Sequence, residues 1–333
     1  MHEVEVQQIQ SSVLLVGAGQ LGSRYLQGLK STMVLTDGTL NIVVVDPSPD
    51  ALVSAERRWQ EVDSTGAHPK PVFCTSIREA VEQGPTIWDL AILSTTAKHR
   101  LEAVTDIVAA TTIRHWVLEK VLAQSSPDVR ALKDQVGTVS AGFVNTSLRM
   151  MPGYAALRKM VVPPLHVAIL GGRWGLASNA IHFIDMVVWM TRAQLLDVVA
   201  VSETGGWYQS KRPGYFDMTG GIDAVFTDGS RLSMAARANE EPLIISITDS
   251  AGSCWTIDQA AGVARSCSGE TLHVKLELQS TMTPRLVTGI LTAGSCDLTG
   301  LHESARMHEL LLDALLHDWN AAAGSPDSRV PIT

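Results

Sequence analysis

Apolar and polar positions alternate along the first third of the chain in a way that predicts strands followed by helices. The run Val13–Val16 is short and apolar, as in strands that are buried on both faces, and an amphipathic segment follows it. This succession recurs, and the predicted strands are "SSVLLV", "NIVVVD", "KPVFC", "DLAILST" and "RHWVLEK". Strands that alternate with helices predict βαβ units and a parallel sheet.

The pattern changes in the second half of the chain, from His166 onward. "HVAILGG" predicts a strand, and residues 178–190 predict a helix that is apolar on nearly every face. Short alternating runs follow, two of them joined by a hairpin turn at Asp228-Gly229, and "TLHVKLEL" and "RLVTGIL" are predicted to continue the strands. A last helix is predicted over about residues 304–321, followed by a loose tail, "GSPDSRVPIT".

Together these patterns predict a two-domain α/β chain, as its length of 333 residues also suggests. Residues 1–122 are predicted to form an N-terminal Rossmann dinucleotide-binding domain. Residues 123–333 are predicted to form a C-terminal α+β domain with a large, mostly antiparallel open sheet. A ligand is expected in the crevice beyond the carboxyl ends of the first domain's strands, with the second domain covering it.

Composition excludes several classes of protein. The net charge of −8 and the pI of about 5.7 give no basic face, so no nucleic-acid partner is expected. No apolar run is long enough to span a membrane, and the polar start "MHEVEVQQIQ" is unlike a secretory signal. The four cysteines are widely spaced, which predicts reduced, mostly buried thiols in a cytoplasmic protein and no metal site.

Gly17, Gly19 and Gly22 form a G-x-G-x-x-G pattern directly after the first strand and at the start of a helix. In that context Gly17 allows a tight turn, Gly19 lets a pyrophosphate approach the backbone, and Gly22 lets helix and strand pack closely. Asp46 stands 24 residues after Gly22, at the tip of the second strand. Its carboxylate suits the adenosine ribose and repels a 2′-phosphate, so the pattern predicts a site for NAD rather than NADP.

The ends of the fourth and fifth predicted strands carry polar side chains where the ribose and nicotinamide of a dinucleotide lie in such a fold. One of these residues, His99, is equally compatible with a surface position. The predicted cofactor-binding residues are Gly17, Gly19, Gln20, Leu21, Gly22, Asp46, Ser94, Thr95, Thr96, His99, Glu119 and Lys120.

The apolar helix over residues 178–190 carries one polar stripe. At 100° per residue, Ser178, His182, Asp185 and Trp189 fall within about 60° of one another. Buried polar groups need partners, and Asp185 is placed to orient the imidazole of His182 or to raise its pKa. The stripe therefore favours a functional histidine over the alternative, a core histidine whose hydrogen bonds are satisfied.

Six segments in chain order resemble the Gfo/Idh/MocA family of nicotinamide-dependent oxidoreductases: "VGAGQLG", "VVVDPSP", "ILSTTAKHR", "VLEKVLA", "GFVNTSLRMMP" and "SNAIHFIDMVVWMTRA". The resemblance covers most of the chain, from about Ser12 to the final helix. It implies that Lys120, in the place of the lysine of a Glu-Lys-Pro motif, lies beside the nicotinamide and the reacting hydroxyl. It also implies a catalytic acid/base role for His182, with Asp185 as the last aspartate of an Asp-x-Gly-x-His-x-x-Asp motif.

The sequence departs from both family motifs. Val121 stands in place of the proline, which alters only the local backbone bias. Ser178 stands in place of the first aspartate and Ala180 in place of the glycine, and the neighbouring Asn179 is placed to take over part of the aspartate's role. The expected substrate contacts are Arg149, Trp174, Ser178, Asn179 and His182, although a surface salt bridge is the commoner role for an arginine such as Arg149.

The chemistry that these residues suit is oxidation of an alcohol, in which a hydride and the hydroxyl proton both leave. A histidine titrates near neutrality and suits the proton step, and a lysine ammonium stabilises negative charge that develops on the oxygen. Lys120, His182 and Asp185 are therefore the predicted catalytic residues. A solvated lysine at a strand end is the alternative interpretation of Lys120.

The leading hypothesis is an NAD-dependent oxidoreductase that acts on a secondary alcohol or ketone of a sugar, cyclitol or sugar derivative. The missing aspartate at position 178 leaves open a non-catalytic NAD-binding regulatory or accessory protein on the same fold. A third hypothesis is transient oxidation by bound NAD that drives epimerisation, elimination or glycoside cleavage. The family resemblance also implies a homodimer or homotetramer joined through the C-terminal sheet.

Overall fold

The computed structural model describes residues 10–36, 38–63, 68–137, 140–324 and 326–333. The chain divides into two compact units. The first unit comprises Met1–Glu119, Leu132–Val144 and Glu277–Asp297, and the second comprises Lys120–Ala131, Asn145–Leu276 and Leu298–Thr333. The first unit thus includes two segments that follow residue 122. The predicted division into domains of residues 1–122 and 123–333 stays a prediction.

The first 120 residues alternate strands and helices as the apolar pattern predicts. In chain order the elements are β1 (Gln10–Val16), α1 (Gln20–Thr36), β2 (Thr39–Val45), α2 (Pro49–Gln60), β3 (Val72–Cys74), α3 (Ile77–Gln83), β4 (Ile87–Leu93), α4 (Ala97–Ala110) and β5 (Thr112–Leu118). α5 (Ser126–Val136) and β6 (Ala141–Val144) follow.

The six strands that the described residues contribute to the first unit's sheet are all parallel, in the order β6-β5-β4-β1-β2-β3. The central strands are fully buried, as their continuous apolar runs require; Val13, Leu14 and Leu15 in β1 have no exposed surface. The direction of winding reverses between β1 and β4, which is where doubly wound sheets bind ligands. The predicted Rossmann fold is therefore confirmed.

The second unit is built on a different sheet. Its elements begin with a 3-10 helix (Ser147–Met150), α6 (Pro152–Arg158), β7 (Leu165–Gly171), α7 (Leu176–Thr191), β8 (Leu195–Gln209), β9 (Phe216–Phe226) and β10 (Arg231–Ala236). β11 (Ile244–Asp249), β12 (Cys254–Asp258), β13 (Val263–Ser266) and β14 (Thr271–His273) complete the large sheet. α8 (Gln279–Ala293), which belongs to the first unit, follows in the chain, and β15 (Thr299–Gly300) and α9 (Leu301–Ala323) return to the second unit.

Across the described residues this sheet has eight strands in the order β14-β13-β12-β11-β7-β10-β9-β8. The pairings are antiparallel except that between β7 and β10. Buried and exposed positions alternate regularly, as in Leu165–Gly171, because one face packs against α7 and α9 while the other face is open. The predicted mostly antiparallel open sheet is therefore confirmed.

Two predictions about the C-terminal third are wrong. "RLVTGIL", predicted as a strand, lies in α8, because Met282, Leu286, Val287 and Ile290 are spaced for one buried helical face that packs against α1. The apparent strand signal came from its β-branched residues, whose propensity the packing overrides. Close packing explains Gly28 in α1, where an added Cβ would lie 2.4 Å from the Thr283 Cβ.

The predicted loose tail is also ordered, over its described residues 326–333. Val330 and Ile332 are completely buried. The Val330 N–H donates to the Gln124 carbonyl at 3.0 Å, and the Phe216 N–H donates to the Pro331 carbonyl at 2.8 Å. Two apolar side chains and these backbone hydrogen bonds dock the tail on the second unit, which a short polar sequence does not reveal.

The prediction of mostly buried cysteines is wrong as well. Of the four cysteines, all of which the structure describes, Cys74 is buried, Cys254 and Cys296 are half-buried and Cys267 is exposed.

No helix in the described part of the chain is long and apolar enough to cross a membrane.

Candidate functional site

The glycine-rich turn after β1 is held by close backbone contacts within the first unit. Gly17 has φ of 97°, and its N–H donates to the Val45 carbonyl at 2.8 Å. A Cβ on Gly22 would lie 1.8 Å from the Gly17 carbonyl oxygen, so a larger residue at position 22 does not fit. The Ser94 hydroxyl donates to the same carbonyl at 2.7 Å, which ties the turn to the end of β4.

Gly19 differs from the other two glycines. It is exposed, and an added Cβ would meet no atom within 4 Å, so the surrounding chain does not itself require glycine at this position. Gln20 and Leu21 begin α1 directly after it, and the first-turn N–H groups of a helix, with the positive end of its dipole, favour an anion. The turn therefore has the form of a phosphate cradle.

Asp46 joins the glycine turn to the end of β2. Its Oδ2 accepts a hydrogen bond from the Ala18 N–H at 2.7 Å, and its Oδ1 accepts one from the Ser48 N–H at 2.9 Å. The residue is partly exposed, and a carboxylate retains further lone pairs after two such bonds. Asp46 is thus fixed in orientation and still able to accept hydrogen bonds from a ligand.

Arg58 on α2 is a cation at the start of α1 that the sequence did not suggest. Its guanidinium donates to the Gln20 carbonyl at 3.1 Å and to the Gln20 Oε1 at 2.6 Å, and it also hydrogen-bonds the Ser23 hydroxyl. Arg58 follows Asp46 by 12 residues, and no spacing rule connects the two. It orders the Gln20 side chain beside the predicted phosphate cradle.

The predicted cofactor residues after β4 have different environments. The Thr95 Oγ1 is buried and, in the described part of the chain, has no hydrogen-bond partner. Thr96 is the N-cap residue of α4. His99 is exposed on α4, with its Nδ1 3.7 Å from the Glu102 carboxylate. The orphaned Thr95 hydroxyl is the feature of this group that fits a bound ligand.

Glu119 directly follows β5 in the first unit, and the residue is 5% exposed. The Tyr25 hydroxyl donates to the Glu119 Oε1 at 2.6 Å. Burial and then the Glu119 charge hold the pKa of Tyr25 well above its usual value, so Tyr25 stays a donor. Arg100, which is 1% exposed, contributes the opposing positive charge. Sequence reasoning named Glu119 and missed Tyr25 and Arg100, which lie far from it in sequence.

Lys120 is the next residue in the chain and belongs to the second unit, where it meets the start of α7. Its ammonium donates to the Asn179 Oδ1 at 2.8 Å and to the Ser178 carbonyl at 3.0 Å. The Asn179 Nδ2 in turn donates to the Trp174 carbonyl at 2.9 Å. The peptide bond between Lys120 and Val121 is cis. Asn179 therefore orients Lys120, and the lysine is not a freely solvated side chain.

Asp217 on β9 supplies a carboxylate at the start of α7. Its Oδ2 accepts a hydrogen bond from the Ser178 hydroxyl at 2.6 Å, and its Oδ1 accepts one from the Ala177 N–H at 2.8 Å. Asp217 is 4% exposed, and burial raises the pKa of its carboxyl above the usual value. It follows Ser178 by 39 residues on another element, so no local pattern could reveal it.

His182 lies one turn further along α7. It is partly exposed, but its Nδ1 is buried and has no hydrogen-bond partner among the described residues. Burial, then the Lys120 charge and then His308 hold the pKa of His182 well below its usual value. The prediction allowed for a raised pKa, and the direction is the opposite. The imidazole is therefore neutral at neutral pH, the form that accepts a proton.

Asp185 is completely buried and pairs with Arg149. The Arg149 Nε donates to Oδ2 at 2.8 Å and Nη2 donates to Oδ1 at 2.7 Å, while the Thr299 hydroxyl also donates to Oδ1. Burial raises the pKa of Asp185, and the Arg149 charge acts in the opposite direction. Among the described residues Asp185 accepts from Arg149 and Thr299 and makes no hydrogen bond to His182, so its predicted orienting role stays a prediction.

Trp174 and Arg173 precede α7. The Trp174 indole N–H donates to the Ala235 carbonyl at 3.0 Å, and its ring packs edge-on against Phe183 with the centroids 5.5 Å apart. The Arg173 guanidinium lies 4.8 Å from the Tyr208 ring centroid. Trp174 is thereby fixed by the fold, and its predicted contact with substrate stays a prediction.

The start of α7 can therefore hold a hydroxyl-bearing ligand and move its proton. The charge of an ammonium that is fixed by Asn179 acts on a neutral imidazole, and a buried carboxylate and hydroxyl pair orders the first helical turn. A positive charge next to a proton acceptor suits a reaction in which an alcohol oxygen becomes anionic.

Comparison with solved structures finds the same fold in several oxidoreductases. An oxidoreductase domain protein from Kribbella flavida matches with a TM-score of 0.74 and 14% identity over 94% of this chain and 98% of its own. Levoglucosan dehydrogenase, solved with NADH and L-sorbose, matches with a TM-score of 0.70 and 14% identity over 98% and 100%. These likenesses confirm the predicted fold.

A third structure, myo-inositol 2-dehydrogenase from Lactobacillus plantarum, matches with a TM-score of 0.66 and 13% identity over 98% of this chain and 100% of its own. No protein-family model matches the chain, and no curated protein matches it by sequence. At these identities the shared property is the fold.

Proposed function

We propose that this chain is an NAD-dependent oxidoreductase of the Gfo/Idh/MocA type that interconverts a secondary alcohol and a ketone of a sugar, cyclitol or sugar derivative. The observation that carries the proposal is the pairing of a fixed lysine, Lys120, with a neutral, partly exposed histidine, His182, at the start of α7. A purely structural helix would not need an imidazole whose Nδ1 is buried without a partner.

The residues of the first unit fit NAD. The turn around Gly19 and the start of α1 would hold the pyrophosphate, and Asp46, kept in place by the Ala18 N–H, would accept hydrogen bonds from the adenosine ribose. The buried Thr95 hydroxyl would find its missing partner on the cofactor. When bound, NAD supplies the nicotinamide ring that takes or gives the hydride.

Lys120 and His182 would handle the substrate oxygen and its proton. The Lys120 ammonium donates a hydrogen bond that stabilises negative charge on the oxygen, and the neutral His182 accepts the proton directly or through water. Asn179 holds the ammonium in place through a hydrogen bond. Asp217 accepts a hydrogen bond from the Ser178 hydroxyl and so fixes Ser178, whose carbonyl is the second acceptor for Lys120. Asn179 and Asp217 would therefore be positioning residues.

The substrate class follows from the relatives in fold and from the polar character of the start of α7. Solved structures of this fold include levoglucosan dehydrogenase, myo-inositol 2-dehydrogenase and a UDP-N-acetylglucosamine 3-dehydrogenase. Each name denotes a compound with several ring hydroxyl groups. Lys120, Ser178 and Asn179 offer the mixture of donors and acceptors that such a ring requires.

A 340 nm absorbance screen with NAD⁺ and a panel of free sugars, cyclitols, uronic acids and nucleotide sugars tests the proposal. We expect NADH to form with at least one compound, while calorimetry measures NAD⁺ binding separately. NAD⁺ binding without turnover of any compound in either direction would favour the regulatory alternative. An isomerised or cleaved product without net NADH would indicate transient oxidation instead.

We further propose that the chain forms a homodimer or homotetramer in the cytoplasm through the open face of the second unit's sheet. Large apolar exposed patches mark association surfaces, and this face exposes Leu170, Val199, Val201 and Val225. A cytoplasmic location fits four cysteines that form no disulfide. Light scattering on wild type and on Val199→Glu/Val201→Glu would test the interface, because loss of association is expected only if that face is used.

A further inference from the structure

Cys254 and Cys267 lie opposite each other on neighbouring strands of the second unit's sheet. β12 and β13 pair in antiparallel register with Trp255 opposite Ser266, which places Cys254 opposite Cys267. The Cys267 N–H donates to the Cys254 carbonyl at 2.9 Å, and the Cys254 N–H donates to the Cys267 Sγ at 3.3 Å. The closeness of the two cysteines is a property of the register, since 13 residues separate them in the chain.

Both thiols can be reached from solvent. Cys267 is exposed and Cys254 is half-buried. They lie on the same side of the sheet as the exposed Thr256 and Arg265, because side chains alternate along a strand and opposite residues share a face. This is the open face and not the face covered by α7 and α9. β11 separates their strands from β7, the nearest strand of the apolar patch proposed for association, so a small reagent has access to the pair outside that patch.

We propose that Cys254 and Cys267 form a redox-active dithiol that exchanges with low-molecular-weight disulfides and closes into an intrachain disulfide. Hydrogen-bonded residues on opposite antiparallel strands have Cα atoms about 5.5 Å apart, within the range of about 4.4–6.8 Å that disulfides use. No residue of the proposed NAD or substrate sites takes part, so the dithiol is a separate site.

The two thiols have different roles in the exchange. The Cys254 backbone N–H donates to the Cys267 Sγ, and a hydrogen bond to sulfur stabilises the thiolate and lowers the pKa of Cys267. A thiolate is the attacking form of cysteine. Cys267, the more exposed of the pair, is therefore the nucleophile, and Cys254 is the resolving thiol.

With oxidised glutathione as the oxidant, the Cys267 thiolate attacks one glutathione sulfur, and the glutathione S–S bond breaks. The first glutathione leaves as a thiolate and takes up a proton, while Cys267 is left in a mixed disulfide. Cys254 then loses its proton and attacks the Cys267 sulfur, which releases the second glutathione as a thiol. Two electrons and two protons pass from the pair to one glutathione disulfide.

The full-length protein, reduced and then equilibrated with defined ratios of reduced to oxidised glutathione, tests the proposal. Free thiols are trapped with acid and iodoacetamide, and the disulfides are assigned by peptide mass spectrometry. We expect the loss of two of the four free thiols per chain and a peptide that joins Cys254 to Cys267. In Cys254→Ser the reaction should stop at the mixed disulfide between Cys267 and one glutathione. Cys267→Ser should react with oxidised glutathione more slowly than Cys254→Ser does. Cys296→Ser is the matched control and should still form the intrachain bond.

Three results would overturn the proposal. One is a wild-type protein that keeps all its thiols in oxidised glutathione, as a pair covered by self-association would do. Another is a disulfide between two chains, seen as a doubled mass on a non-reducing gel. The third is stable glutathione on Cys267 of the wild type with Cys254 still free. Light scattering of the reduced and oxidised forms accompanies the assay, so that closure within a chain is measured separately from association.

Discussion

The glycine turn of the first unit and the start of α7 in the second unit are two ways of building a site. The turn is made by the backbone: Gly17, Gly22 and Asp46 lie within 30 residues, and their contacts are to carbonyl and N–H groups. The start of α7 is made by side chains that come from distant segments, among them Lys120, Asn179 and Asp217.

This difference determines what each site tolerates. A backbone site depends on the absence of side chains at a few positions, so a single added methyl group damages it. A side-chain site depends on hydrogen bonds between particular groups, and each bond can be removed singly. Substitutions in the two sites should therefore fail in different ways.

Loss of Arg149 from its buried ion pair with Asp185 of α7 should have the largest effect on the free energy of unfolding. Arg149→Ala leaves the Asp185 carboxylate buried without its cation, which typically costs about 3–5 kcal/mol. Urea denaturation followed by circular dichroism measures the loss. Arg149→Met with Asp185→Leu should recover most of the stability, because no charge is then buried. The control Arg237→Ala breaks an exposed pair and should cost about 1 kcal/mol or less; equal costs for the two arginines would contradict the prediction.

Lys120→Ala should reduce turnover at least ~100-fold, the scale of general acid–base and electrostatic contributions, with NAD⁺ affinity little changed. In the proposed mechanism the ammonium acts on the substrate oxygen, and Lys120 belongs to the second unit. Steady-state rates at 340 nm and calorimetric NAD⁺ titration provide the two measurements. Lys159→Ala, an exposed lysine of the same unit, is the control. Full activity in Lys120→Ala would exclude the proposed mechanism.

Gly22→Ala and Gly19→Ala form a matched pair in the glycine turn. Gly22→Ala puts a methyl group 1.8 Å from the Gly17 carbonyl oxygen and should lower the free energy of unfolding by about 1–3 kcal/mol or more. The same variant should also bind NAD⁺ more weakly. Gly19→Ala meets no atom of the chain within 4 Å and should keep its stability while binding NAD⁺ at least about tenfold more weakly. Unchanged NAD⁺ affinity in Gly19→Ala would argue against a pyrophosphate at this turn.

Asp217→Asn should lower kcat/KM about tenfold, equivalent to about 1.4 kcal/mol, by loosening Ser178 and hence Lys120. Ser178→Ala should act in the same direction, and the effect should fall on kcat more than on KM. An altered pH dependence of kcat would distinguish positioning of Lys120 from a general loss of structure. If Asp217→Asn only lowers the unfolding midpoint and keeps kcat, Asp217 is a helix cap and nothing more.

The smallest expected effect is the contribution of His182 to the pH dependence of the protein's stability. Because the folded pKa of His182 is lowered, the unfolded chain takes up a proton near pH 6.5 while the folded chain does not. Stability should therefore fall as the pH drops below about 6.5, and His182→Asn should reduce that fall. The exposed His317→Asn is the control. For the same reason the acidic limb of kcat/KM should lie below pH 6.5; a limb above it would contradict a neutral His182.

Much of the fold could be predicted because its patterns are local. The apolar runs of β1 and β2 and the Asp-Gly turn between β9 and β10 each identify an element within a few residues. The prediction failed for α8, where β-branched residues suggested a strand, and for the tail, where two apolar residues suffice for docking. In both cases packing against distant segments decided the outcome.

The candidate site divides in the same way. Lys120 and His182 were found because a strand end and a polar stripe on an apolar helix are visible in sequence. Asp217, Arg58 and the partnership of Arg149 with Asp185 were not, because each depends on which elements pack side by side. Sequence alone also could not reveal the direction of the His182 pKa shift, which burial determines.

By itself, then, the sequence determined the Rossmann sheet, the glycine turn and the presence of a lysine and a histidine suited to proton chemistry. These are properties of residue type and spacing, which act over one turn or one strand. Only the tertiary structure decided that Asp217 holds Ser178, that Arg149 neutralises Asp185 and that Cys254 meets Cys267. Those contacts depend on β-sheet register and helix packing, which bring together residues that local periodicity cannot relate.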